Sequence, residues 1–232
     1  MAAQRGSSLV ELMISITLGL LVISSILQVY VSMVTASANT INQTRLVEEL
    51  RTAATVIAQD IRRAGYFGGV PGTDDFTNNP FVSGVNDLSV AQFTGEAANS
   101  CVLLSYDLDG DKTVDDGTVT ASDMEQFGYR LNASVLQMRT SGNTFACTDM
   151  AGWEDLTTPE IEVTSLTFTV NTSCLNINTE TVGCPCTSGD PCQYIRDVDM
   201  NLSGRLKSHT ESSVSLTDTV KIRNDKYTSS AP

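Results

Sequence analysis

The sequence has little of what nucleic-acid binding and acid–base catalysis require. Its 232 residues hold 14 Lys and Arg against 27 Asp and Glu, a formal charge of −13, and one histidine, His209. Phosphate binding needs clustered cations that release counterions, so nucleic acid is not expected as a partner. The same deficit disfavours docking on anionic headgroups and leaves an acidic, water-facing surface. A hydrolytic triad would have to recruit His209, which stands in a polar, loop-like stretch where imidazole is solvated surface, not a general base. The chain is not expected to be an enzyme. It also lacks internal repeats and a nucleotide-binding glycine pattern.

Helix breakers are missing from the start of the chain. No proline occurs before Pro71, and Gly19 is the single glycine between Ser7 and Ala64. Charge is missing too: from Leu9 to Val34 the run is mostly apolar, with Glu11 as its one ionisable carboxylate. About 20 apolar residues cross a bilayer as a helix, so this run is long enough. It is not broken by the small-residue cleavage site that follows the apolar core of a secretory signal, so it is retained. Its hydroxyls can bond back to the helix backbone, which lowers their cost in lipid.

Beyond the apolar run, Leu46, Leu50, Ala54, Ile57 and Ile61 recur every three or four residues, one stripe of an amphipathic helix. Gly65 is placed to end that helix. The organisation predicted is residues 1–6 as a short polar leader, 7–34 as the membrane-spanning half of the helix, 35–64 as its amphipathic half and 65–232 as a β-rich head. Gly65 to Asn86 reads as a long connecting loop. Short β-like runs follow at Ser100 to Tyr106, Gln126 to Leu131, Val135 to Arg139, Ile161 to Val170 and Val214 to Arg223. Alternating Thr or Ser with Val, Leu, Phe or Ile predicts a half-buried antiparallel sheet, with the stripe as cover for its apolar face. The fold class is therefore α+β. Trp153 reads as a core or edge aromatic.

Cysteine is absent from the first 100 residues. All six, Cys101, Cys147, Cys174, Cys184, Cys186 and Cys192, fall in the presumed exported part. An even count there predicts disulfides in an oxidising compartment. The rival is a zinc site from Cys174, Cys184, Cys186 and Cys192, but Cys184 and Cys186 are one residue apart where zinc pairs are usually separated by two to four. Among fifteen connectivities, the pairing expected joins Cys101 to Cys147 and leaves the other four to staple the late loop.

Arg5-Gly6-Ser7-Ser8-Leu9-Val10-Glu11-Leu12 resembles the leader junction of type IV pilins and pseudopilins. The resemblance implies that a prepilin peptidase cuts after Gly6 and methylates the new N-terminus at Ser7, where the family usually carries phenylalanine. Glu11 then takes the position of the family's glutamate and pairs with the terminal amine of a neighbouring subunit in the filament. Asp60-Ile-Arg62-Arg63-Ala64-Gly65-Tyr66-Phe67-Gly68, Leu103 to Asp107, Phe127 to Leu131 and Val220 to Asn224 are similar to segments of the PilW family of minor pilins. That likeness implies a pilin-like fold and a structural subunit that helps to start or cap a type IV pilus. Its partners would be the prepilin peptidase, the major pilin and other minor pilins. It would sit in the inner membrane of a Gram-negative bacterium with a periplasmic head, then on a surface pilus. A minor pseudopilin of type II secretion shares these features, and a pilus-tip adhesin using residues 174–192 is a further alternative.

One more cluster bears on cofactors, none of which is otherwise expected. Asp107, Asp109, Asp111, Asp115 and Asp116 place hard oxygen ligands at nearly alternate positions, which suits calcium. Lys112 and Thr118 stand where an EF-hand needs glycine and glutamate, so the choice is between a looser calcium loop, as in some pseudopilins, and an acidic turn between two strands.

Overall fold

The computed structural model describes residues 8–68, 76–115, 124–142 and 144–231. The missing helix breakers have their consequence in α1, one uninterrupted helix over Leu9–Arg63. The chain divides into two units, Met1–Arg45 and Leu46–Pro232. In the first, every large apolar side chain from Leu9 to Val34 is at least half exposed to solvent. A face that is apolar all round and covered by no protein suits lipid or a bundle of like helices. By length and composition this helix can cross a membrane.

In the second unit the stripe is buried, and burial begins at Leu46, with residues 35–45 almost wholly exposed. Leu46, Leu50, Ile57 and Ile61 are completely excluded from water, with Ala53 and Ala58 beside them and Ala54 partly covered. α1 stops because Gly65 takes φ +73°, a left-handed conformation that needs no Cβ. Its N–H leaves the helix for Ser105 O at 2.8 Å, and Asn224 Nδ2 caps the freed carbonyls of Arg63 and Ala64 at 3.1 and 3.3 Å.

The head has two antiparallel sheets where the sequence predicts one. Strands β1 (Ser89–Ala91), β2 (Cys101–Ser105), β3 (Gln126–Asn132), β4 (Val135–Arg139) and β5 (Trp153–Asp155) form a simple meander. The second sheet is built on β6 (Ile161–Asn176) and β8 (Cys192–Leu206), paired along nearly their whole length. β7 (Thr181–Val182) joins the end of β6, while β9 (His209–Lys221) and β10 (Lys226–Thr228) pair in succession with β8. Two sheets are needed because apolar residues come from both: Val102, Leu104 and Leu136 of the meander share one core with Phe168, Val198, Met200 and Leu202. Backbone bonds from Phe168 N–H to Asn99 O and from Val163 N–H to Ser134 O, both 2.9 Å, tie the sheets together.

The predicted loop from Gly65 to Asn86 is more ordered than its composition suggests. Its described part carries three single 3-10 turns, Phe76–Asn78, Pro80–Val82 and Gly84–Asn86, and buries Phe81 and Val82. Asn79 explains the order: its Nδ2 donates to Gly65 O at 2.9 Å while its Oδ1 accepts from Phe81 N–H at 2.8 Å.

Candidate functional site

Glu11 lies in the first turn of α1, where the helix dipole favours a negative charge. Around it four hydroxyls of the apolar run bond back to the helix backbone. Ser15 Oγ donates to Glu11 O at 2.8 Å, Thr17 Oγ1 to Ile14 O at 2.9 Å, and Ser24 and Ser25 both to Leu21 O at 2.9 Å. These hydroxyls add little polarity to the surface, and Glu11 remains the one charge in an otherwise apolar cylinder. Gly6 and Ser7 lie outside the described residues.

Where α1 meets the head, Asp60 is the polar anchor. Its Oδ2 accepts from Tyr129 OH at 2.5 Å and its Oδ1 from Tyr106 OH at 3.1 Å, with the Arg63 guanidinium over the Tyr106 ring at 5.8 Å. Burial pushes the Asp60 carboxyl above the usual carboxylate range, against the hydrogen bonds of Tyr129 and Tyr106 and the charge of Arg63, which lower it. Both tyrosines are pushed up, by burial first and by the Asp60 charge next. An acid with a raised pKa holds its proton more tightly folded than unfolded. Its contribution therefore favours the fold at low pH and is lost as pH rises from the ordinary carboxyl pKa to the folded one. Chemical denaturation of parent and Asp60→Asn across that window is expected to show the parent losing relative stability by up to about 1.4 kcal/mol per pH unit. Parallel curves would refute the assignment.

All six cysteines are oxidised: Cys101–Cys147, Cys174–Cys184 and Cys186–Cys192. No thiolate is left for zinc. Cys101–Cys147 is buried and pins the loop after β4 to β2, and two arginines that sequence reading did not single out finish the work. Arg130 lies between the rings of Phe93 and Trp153, at 4.3 and 4.2 Å, and donates to Cys147 O and Asp149 O at 2.8 and 2.5 Å. Arg139 donates to Gln126 O at 2.5 Å and Gly142 O at 2.9 Å. Trp153 is thus an edge aromatic with a cation on its face. The other two bridges fasten the turns between β6 and β8, where Asp190 accepts from Asn176 and Asn178 at 2.8 Å each. The peptide Cys184–Pro185 there is cis. His209 is exposed, with its Nδ1 2.9 Å from Ser208 Oγ.

The acidic segment joins β2 to β3. Asp107 is buried, accepting from Gly68 N–H at 2.7 Å and Gly110 N–H at 2.6 Å. Glu125, at the far side of the turn and not singled out by the spacing of the aspartates, is also buried. It accepts from Leu108 N–H at 2.5 Å and Asp115 N–H at 3.2 Å, and burial raises its pKa. Asp111 is held below the usual range by the Thr113 amide and hydroxyl. One oxygen each of Asp107, Asp109 and Glu125 lie within 4.8 Å of one another, as do those of Asp109, Asp111 and Asp115. That spread matches oxygens sharing an ion at 2.3–2.6 Å, so the donor set fits calcium. Asp116 lies outside the described residues.

The chain thus combines a helix of membrane-crossing length, with one carboxylate in its apolar run, and a disulfide-bonded two-sheet head. No curated protein and no solved structure matches the chain. A family model described as Prepilin peptidase-dependent protein B matches residues 39–222, well over half of the sequence, covering the later part of α1 and most of the head. The chain belongs to the prepilin peptidase-dependent protein B family.

Proposed function

We propose that the chain is a minor pilin of the PilW type, processed between Gly6 and Ser7 by prepilin peptidase and built into a type IV pilus as a subunit that starts or caps it. The observation that carries the reading is α1: an uninterrupted helix whose first half is apolar all round except for Glu11 and whose second half is the core of an acidic head. Such a helix can leave the bilayer for a filament core without losing its apolar surroundings, and a lone carboxylate in it needs a cation from a neighbour. The methylated terminal amine of the next subunit supplies that cation. The head then faces water, consistent with a charge of −13 and three disulfides. Its work is structural and not enzymatic.

Deletion of the protein, scored for surface pili with twitching motility and for secreted enzyme activity, tests the reading. Loss of pili with normal secretion is the expected result. Normal pili with lost secretion would make the chain a type II pseudopilin instead. Intact pili that no longer bind host cells would favour a tip adhesin acting through residues 174–192.

We also propose that Asp107, Asp109, Glu125, Asp111 and Asp115 hold calcium, supported by the approach of their oxygens in two sets of three that share Asp109. A tenfold excess over the dissociation constant stabilises a fold by about 1.4 kcal/mol, and extracellular calcium sites bind at about 0.1–1 mM. Calcium at about 10 mM, in that regime, is expected to raise the melting temperature over a chelator control, and Asp109→Asn to abolish the rise. Identical melting with and without the ion would end the proposal.

A further inference from the structure

Among the described residues, β9 is the one long strand with a single neighbour. It spans His209–Lys221, contains no proline, and pairs only with β8. Its outward groups follow from its register. Ile222 N–H donates to Arg196 O at 3.1 Å in continuation of the ladder that pairs Val220 with Val198. Residue pairs in an antiparallel ladder alternate in hydrogen bonding. The amides of Val214, Leu216, Asp218 and Val220 therefore point to β8, and those of Ser213, Ser215, Thr217, Thr219 and Lys221 point away. No backbone hydrogen bond from these outward amides to another described element is formed. An open edge of this length is a template for another strand.

The end of the edge carries clustered cations. Arg62, Lys221 and Arg223 line one depression of about 560 Å³ with Thr219, Ile222 and Asp225. Among the described residues none of the three cations has a side-chain ion pair or hydrogen bond, while Asp225 is engaged by Gln193 Nε2 at 2.5 Å. Three unpaired cations at the end of an unpaired edge specify the occupant: an extended segment, neutral along Ser213–Thr219, that ends in carboxylates over Arg62, Lys221 and Arg223.

A second copy of this chain does not meet that requirement. Two β9 edges would pair about a two-fold axis perpendicular to the sheet, setting the two Leu46–Arg63 helix segments antiparallel. Subunits anchored in one bilayer share one direction. We propose that the β9 edge accepts an extended, acid-ended segment of a different pilin subunit by strand addition. The inference rests on the reading of the chain as a pilus subunit.

The test uses the full chain in its own bacterium, with p-benzoylphenylalanine in place of Ser215. Illumination is expected to yield one cross-link, mapped by mass spectrometry to an extended segment of another subunit with its own prepilin junction. Thr217→Pro removes an outward amide and spares the β8 ladder. It is expected to lower the cross-link roughly tenfold, while Thr217→Val leaves it unchanged. Lys221→Glu combined with Arg223→Glu is expected to lower it similarly, and decides the matter alone if Thr217→Pro reduces the melting temperature. An undiminished yield in these variants overturns the inference. So does a cross-link to lipid or to a second copy, or none in cells whose sheared pili contain the protein. Absence of the parent chain from pili defeats the pilus reading, and this inference with it.

Discussion

Glu11→Leu is expected to leave the chain processed and membrane-inserted but reduce its share in sheared filaments about a hundredfold or more. In a bilayer the substitution removes a costly charge and, if anything, favours insertion. In a filament core it leaves the neighbour's terminal amine buried without a counterion, and breaking such a pair costs about 3–5 kcal/mol. The opposite signs of the two effects separate assembly from anchoring. The measurement is the ratio of filament-bound to membrane-bound protein by quantitative immunoblot. A ratio equal to the parent's would remove Glu11 from assembly and leave it a hydrated residue of the first turn.

The second large effect concerns the head. Cys101→Ser together with Cys147→Ser is expected to destabilise it by about 2–5 kcal/mol, the usual loss when a native bridge is removed. For a domain of this size that lowers the melting temperature by roughly 5–15 °C. The bridge spans 46 residues of sequence and lies beside Arg130, whose bonds to Cys147 O and Asp149 O depend on the loop staying in place. Once the loop leaves, the guanidinium loses both acceptors, so the charge becomes an internal liability. Calorimetry of the purified protein decides the matter. Unchanged melting would show that Arg130 and Arg139 hold the loop without the bridge.

These two expectations draw on different levels of the molecule. What is expected of Glu11 follows along one dimension: an apolar run, its single carboxylate, no proline and one glycine all act along a helix, whose contacts are local. The stripe from Leu46 to Ile61 is legible for the same reason, since a 3.6-residue period is a property of the helix itself. β2, β3 and β4 were legible as short β-like runs, and β6 and β9 in part, through the alternation of Leu166 to Val170 and Val214 to Ile222. β8 was not, because Arg196 stands on its buried face and Asp197, Asp199, Asn201 and Gly204, residues of low strand propensity, fill much of the rest of the run. Its alternation of Val198, Met200 and Leu202 becomes decisive only when β6 and β9 lie on either side.

By itself the sequence determined the α+β class, the single long helix, the apolar segment with its lone acid and the acidic head, because each depends on composition or on short periods. The tertiary structure decided what depends on pairs distant in sequence. It split the strands into two sheets, joined each cysteine to its partner, and set Asp60 between Tyr106 and Tyr129. It also brought Glu125 into the aspartate turn and left β9 with a free edge ending in three cations. The reason is physical. A helix satisfies its backbone within one segment, whereas a strand, a disulfide or a buried charge is completed by a partner whose place only the folded chain specifies.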